Sequence, residues 1–464
     1  SAGSQTTWTW SAWIKRGTLG TKQNIFNPTR GGDGANESQM DFTTNDQFQI
    51  YDSGATRGNK VTTRRFRDPS AWYHIVVALD TTDSTAADRV KIYVNGDRET
   101  AFSTNSNPGA STAWGWNAAH EHSLGSYNYG ADHSFFDGYM AEVHFIDGTA
   151  LDPTSFGETI GGVWVPKAYS GSHGTAGWHL PFDDSSAIGD DESANTNDWT
   201  ANNLAASDVV PDSPTNNFST MNALQVQGGS QTTPYALSEG NLKMTSTANN
   251  YAQMSGAMGV QSGKWYTETY INSAGYPSWY IGWTSSDRLG TWTGGNTADG
   301  VTTGLGYFTG SNVYIQDFGD ANNASTVVAA SGLWSGGRAP TTGDIIGCAV
   351  DFDNRKIWWS INGEYVNIGS GAGDPANGTN PASTYTSSDA ADDAYKFAWQ
   401  LGYASTTKTI NFGQDSTFAG NTTAGGNADD NGVGDFKYAP PSGFLALCSA
   451  NLPEPTIGPN SDEQ

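Results

Sequence analysis

Asp344–Gly363 reads DIIGCAVDFDNRKIWWSING, and its alternation decides the fold. Ile346, Cys348, Val350 and Phe352 fall on one face of an extended segment, with Ile345, Gly347 and Ala349 on the other. A short polar turn, Asp353-Asn354-Arg355-Lys356, reverses the chain. The return segment sets Ile357, Trp359 and Ile361 against Trp358 and Ser360. Asn362-Gly363 then supplies a turn that needs positive φ, which Asn and Gly tolerate best. The same device recurs at Trp72–Gly96, WYHIVVALDTTDSTAADRVKIYVNG. There Tyr73, Ile75, Val77 and Leu79 share a face, as do Val90, Ile92 and Val94 before Asn95-Gly96. Strands that are apolar on nearly both faces belong in the middle of a sandwich. Two such hairpins predict an all-β chain with two tandem antiparallel sandwiches.

Composition agrees. Among 464 residues there are 57 Gly and 17 Trp; aromatic residues make up 12% and charged residues only 15%. Many aromatics among turn formers is an all-β signature and argues against disorder. The net charge of −25 repels phosphate backbones and anionic lipid surfaces, which disfavours nucleic-acid binding and membrane association. No apolar run reaches the length of a membrane-spanning helix. Cys348 and Cys448 are too few for a disulfide framework, and Cys348 reads as a buried thiol.

Read in order, residues 1–182 form the first sandwich, 183–222 a turn-rich surface connector pinned by Trp199 and Phe218, 223–447 the second sandwich, and 448–464 an extended tail. Along the first sandwich, FFDGYMAEVHFI (Phe135–Ile146) predicts a strand. Its alternation puts Met140, Glu142 and His144 on one face and Ala141, Val143 and Phe145 on the other.

WYHIVVALD, IYVNG and GYMAEVHF together resemble laminin-G-like, concanavalin-type jelly rolls. GKWYTE, IGW, GDIIGCAVDFDNRKIWWSING and INFG resemble the SPRY family, also a two-sheet antiparallel sandwich. Long inserts at 369–394 and 413–434 depart from that pattern. TWTWSAWIKRGTLG, RDPSAWYHIVVALDTT, GYMAEVHFIDGTALDPTSFGE, DSPTNNFSTMNAL and GFLALCSANLPEPTI, in this order, are similar to segments of structural proteins of tailed bacteriophages, especially marine ones. That resemblance implies a virion-surface protein (tail fibre, head fibre or decoration) that contacts other virion proteins, forms a homo-oligomer and binds a host-surface glycan or protein. It also implies an internal portion of a larger protein, or one whose ends are cleaved or disordered. A purely structural spacer is the first alternative, and an extracellular lectin or polysaccharide hydrolase the second.

Catalytic groups are sparse. Glycosidases need two carboxylates flanking the sugar bond, but Glu142 and Glu268 each stand alone on their strands, and Asp183-Asp184 and Asp190-Asp191-Glu192 lie in a polar connector. No nucleophile elbow, phosphate loop or dinucleotide fingerprint occurs. The chain is therefore expected to be no enzyme and to need no cofactor. The laminin-G-like resemblance leaves room for a structural calcium at the rim, with no ligands assignable. His120-Glu121-His122, with His133 nearby in sequence, offers metal ligands but falls short of a zinc set, and reads equally as surface histidines. Gly425–Asp430 only faintly echoes a calcium loop. For ligand binding the candidates are loop tryptophans, because aromatic rings stack on sugar faces: Trp114 and Trp116 in TAWGWN, and Trp292 in GTWTGG. Their alternative role is to close the end of a sandwich.

Overall fold

The computed structural model describes residues 2–28, 37–53, 57–128, 132–227, 235–247, 252–273, 278–285, 303–308, 312–316, 325–369, 371–384, 394–401 and 405–453. The chain divides into two compact units, one running to Val209 with Ser213–Thr215, the other comprising Val210–Asp212 and Asn216–Pro453.

The first unit contains β1 (Thr7–Arg16), β2 (Gln23–Pro28), β3 (Ser38–Phe42), β4 (Phe48–Asp52), β5 (Asn59–Thr62), β6 (Trp72–Asp80), β7 (Val90–Val94), β8 (Asp97–Arg98), β9 (Phe102–Ser106), β10 (His122–Leu124), β11 (Tyr127–Asn128), β12 (Asp132–His133), β13 (Gly138–Asp147), β14 (Gly157–Ile160), β15 (Val163–Pro166) and β16 (Trp178–Leu180). Two six-stranded sheets result, ordered β16-β13-β1-β6-β7-β8 and β10-β2-β3-β4-β5-β9. Their facing sides enclose one core. Trp8, Trp10, Ala12 and Ile14 of β1 and Ile75, Val77 and Leu79 of β6 meet Met40, Phe42, Phe48 and Ile50 of β3 and β4. Each of these side chains of valine size or larger contributes roughly 1.5–3 kcal/mol by leaving water. The far face of the first sheet is covered as well. Val76 and Ile146 pack on Phe156, and the Trp164 indole donates to His74 Nδ1 at 3.0 Å. This second layer explains why Thr9, bonded by Leu151 N, and Ser11, bonded to His74, are buried too although they lie opposite the core side of β1.

In the second unit, one sheet runs, in spatial order, through Met221–Gln227, Ala252–Val260, Tyr395–Leu401, Ser278–Ser285, Thr303–Phe308, Asn312–Gln316 and Ser325–Ala329. The other runs through Tyr235–Ser238, Lys243–Ser246, Thr407–Asn411, Lys264–Ser273, Ile345–Asp351, Lys356–Ile361 and Glu364–Tyr365. The hairpin sits where its alternation predicts. Ile346, Cys348, Val350, Phe352, Ile357, Trp359 and Ile361 enter the inter-sheet core. Ala349 and Trp358 face the other way, into a second cluster with Tyr266, Phe436, Phe444 and Ala446. The twin turns are built alike. Asn95 and Asn362 hold φ of 50° and 52°, followed by Gly96 and Gly363 at 87° and 81°. Each Asn side-chain oxygen accepts a backbone N–H from the opposite strand, His74 N at 2.8 Å and Ile345 N at 2.9 Å.

The turn-rich stretch after residue 182 divides between the units. Trp199 packs on Trp178 at 4.9 Å in the first, whereas Phe218 bridges to Cys448 in the second. Both cysteines are buried and unbridged. One sequence expectation fails locally. Between Ser11 and Trp13 the pairing of β1 with β13 slips, because β13 carries an extra residue, and Glu142 takes φ of 50° there. Past this bulge, Glu142 and His144 no longer share a face with Met140, which packs on the core.

Candidate functional site

The face of the second sheet that points away from the core is polar. Asn24 pairs with Asp41, Asp41 with Gln49, and Gln49 with Val61, forming one cross-strand row. Gln39, Tyr51 and Asn59 form the next row. A bulge between Asn24 and Phe26 lets Ile25 and Phe26 both reach the core, so Asn27 falls on the polar side with Asn24. Asn24, Asn27 and Asp41 are fully buried, and Gln49, Tyr51 and Asn59 are half-buried.

Among the described residues, the side-chain nitrogen and oxygen atoms of Asn24 and Asn27 and both carboxylate oxygens of Asp41 make no hydrogen bond. The ammonium of Lys22 stands 3.6 Å from Asp41 Oδ2, an ion-pair distance too long for a hydrogen bond. Burial therefore pushes the Asp41 carboxyl up to about 6, a rise that Lys22 only partly opposes. Other buried acids of this sheet are well served. Asp52 accepts from Ser38 Oγ at 2.8 Å and Gly115 N at 2.7 Å and pairs with Arg57 at 2.8 Å. Asp46 accepts from Arg16, Arg67 and Gly20 N. Each buried polar atom left unpaired costs about 1–3 kcal/mol, so three such side chains on one face make this a costly stretch of the sheet. The set offers amide donors and acceptors and one carboxylate, the groups that match hydroxyls. Its oxygens are also hard donors of the kind calcium takes, though one acid among three falls short of a calcium shell.

Trp114 and Trp116 are not at this face, and neither is exposed. They are 1% and 0% accessible. Trp116 packs on Trp8 at 5.6 Å and on Trp114 at 5.7 Å, within the core. The loop is drawn inward because the Gly115 N–H is captured by buried Asp52 and the Trp114 N–H by the Gln5 carbonyl. Both indoles close the sandwich, so the expectation that they offer themselves to a sugar is corrected. Trp292 lies outside the described residues.

The expected histidine group also comes apart. His120 and His122 touch only through the His120 carbonyl and His122 Nδ1 at 2.9 Å, and the His133 ring lies against Tyr127 at 4.9 Å. In the faint calcium echo, Asp429 is occupied by Asn431 N, Val433 N, Ala446 N and the Asn451 amide. A different cluster forms on the far face of the first sheet. His144 of β13 pairs in register with His179 of β16, and their rings stack at 3.9 Å. His179 Nε2 donates to Glu142 Oε2 at 3.0 Å, and His144 Nδ1 meets His173 Nε2 at 3.2 Å. Burial brings His144 down to about 4. Burial would raise Glu142, but its polar contacts with the His144 and His179 imidazoles outweigh it and hold the carboxyl at about 2.

Sequence reasoning missed both groups. QNIFNP and SQMDF are short, one of them bulged, and neither shows clean alternation. The signal that was available is amides and an acid beside core-facing Phe26 and Met40. For the second group it is Glu and His two apart in AEVHF; His179 joins them through pairing that no spacing reveals.

A family model described as the concanavalin A-like lectin/glucanases superfamily, a Laminin G type, matches residues 2–155. A search of curated proteins gives no match. Among solved structures, the SPRY domain of human HERC1 is 15% identical, with 41% of this chain and 96% of that one covered at a TM-score of 0.28. A carbohydrate-binding protein from Bacteroides ovatus, so described putatively, is 19% identical, with 32% and 39% covered at 0.23. A heptameric SAP-like pentraxin from Limulus polyphemus is 16% identical, with 32% and 67% covered at 0.25. The family match falls within the first unit and agrees with its two-sheet architecture.

Proposed function

We propose that the chain is a non-enzymatic, lectin-like adhesion protein that holds a glycan on the polar face of β2, β3 and β4, and that it is displayed on the surface of a tailed-phage particle. The carrying observation is the polar face itself: half-buried Gln49, Tyr51 and Asn59 lie in the same two rows as buried Asn24, Asn27 and Asp41, whose side chains make no hydrogen bond, Asp41 keeping only its ion pair with Lys22. Sugar hydroxyls donate and accept at once, so a ring lying on this face would be matched by the amides of Gln49 and Asn59. Half-buried Tyr51, paired with Asn59, offers an aromatic surface beside them. The phage assignment rests on the ordered series of segments quoted above.

The test is a glycan array probed with the full chain, with and without EDTA. Specific binding that disappears in Asn24→Ala and Asp41→Ala but persists in Lys91→Ala supports the reading. Binding that survives both substitutions removes the polar face from it. Digestion of any arrayed polysaccharide would overturn the non-enzymatic part.

A spacer that contacts other virion proteins is the second reading. Ile160 and Val163 favour it: they face each other at the tip of the β14–β15 hairpin and are 61% and 63% exposed. Both readings accommodate a homo-oligomer on the particle.

A further inference from the structure

We propose that Glu142, His144 and His179 form a binding site for one divalent transition-metal ion of the zinc class. The site lies on the first sheet, whereas the polar face lies on the second, so it stands apart from the glycan reading. The ligand-bearing atoms of all three residues lie within 4.8 Å of one another. Glu142 Oε2 is 3.0 Å from His179 Nε2 and 3.6 Å from His144 Nε2. Ligands about 2.0–2.1 Å from a tetrahedral ion stand roughly 3.3–3.4 Å apart, a spacing that these two distances bracket.

The fold assembles the set deliberately. The β13 bulge, with Glu142 at φ of 50°, turns that carboxylate onto the His144–His179 pair. A non-glycine residue in this conformation costs about 1 kcal/mol or more, and such bulges gather at functional sites. His144 is braced from behind: its Nδ1 meets His173 Nε2, and the His173 ring lies edge-on to Tyr169 at 5.1 Å. A hydrogen-bonded second nitrogen is the usual support of a metal-bound imidazole. The His179 backbone is anchored by its N–H to Asp191 Oδ1 at 2.8 Å.

Two imidazoles and one carboxylate leave a tetrahedral ion one position short. That position has room, because Glu142 and His144 line an open pocket of about 140 Å³ with Trp13, Phe156, Pro166 and Lys167. The donor set excludes magnesium and calcium, which take oxygen shells, and suits zinc, cobalt, nickel and copper. The parallel rings, 7° apart, set one requirement. An ion in the plane of both needs one ring to turn. His179 is the one that can, with 19% of its side chain exposed against 4% for His144.

The test uses untagged full-length chain stripped with EDTA, then titrated with ZnCl2 by calorimetry and with CoCl2 by visible absorption. The expected result is one equivalent bound and a cobalt spectrum of four-coordinate intensity. Affinity should fall at least a hundredfold in His179→Ala and in Glu142→Gln, and stay unchanged in His133→Ala and Lys91→Ala. His179 sits near the surface, so its variant should keep the parent's circular dichroism; Glu142→Gln tests the site without shortening a side chain. Absence of a bound equivalent, undiminished binding in both variants, or a cobalt spectrum of the hydrated ion alone would each overturn the proposal.

Discussion

Asp41→Asn isolates the energetic cost of the polar face. In the folded chain the Asp41 carboxyl stands at about 6 against an ordinary 3.8, because burial penalises its charged form. A folded-state value raised above the unfolded one means that the native chain binds the proton more tightly. The cost is absent below about pH 4, grows as pH rises to about 6, and is constant above that. A displacement of about two units corresponds to about 3 kcal/mol. Asparagine has the same shape without the charge, so Asp41→Asn should stabilise the glycan-free first unit by up to about 3 kcal/mol at pH 8 and by almost nothing at pH 4. The assay is urea unfolding of wild type and variant at both pH values, with hydrogen exchange of β2 and β3 amides assigning the change to this unit. Comparison with wild type cancels the general effect of titrating the other acids. An equal difference at the two pH values, or destabilisation at pH 8, would refute the claim that Asp41 is buried without adequate partners.

The other predictions concern the framework. Trp116→Ala should cost about 3–5 kcal/mol of first-unit stability, because it empties a fully buried site between Trp8 and Trp114, as read by calorimetric unfolding. Asn362→Ala should cost about 1–3 kcal/mol in the same unfolding assay, since at a position held at positive φ it removes both the acceptor of Ile345 N–H and the amide that donates to Asp344 Oδ1. Glu268 is fully buried and accepts from Lys437 N and Tyr438 N, both at 2.8 Å. Glu268→Ala should therefore speed hydrogen exchange at those two amides by at least tenfold while the first unit is unchanged.

The two hairpins were legible because their strands are apolar on both sides, and alternation then assigns every residue to a face. Val350 and Ala349 ended in different clusters for that reason. Legibility stopped where the backbone departs from strict alternation. The bulge at Glu142 separated it from Met140, and the bulge after Asn24 hid β2 altogether. Trp114 and Trp116 misled for another reason. Their neighbours are polar, but the loop's course is set by a distant acceptor, Asp52, sixty-three positions from Gly115. Partners brought in by sheet pairing, such as His179 against His144, leave no local pattern to read.

A glycan seated on the polar face of the second sheet would lie against β2 and β3. Hydrogen exchange of the full chain, with and without its best array glycan, locates that contact most directly. Slowed exchange in 23–28 and 38–42, abolished by Asp41→Ala, is the expected result. Protection confined to other segments, with those two unchanged, would contradict it.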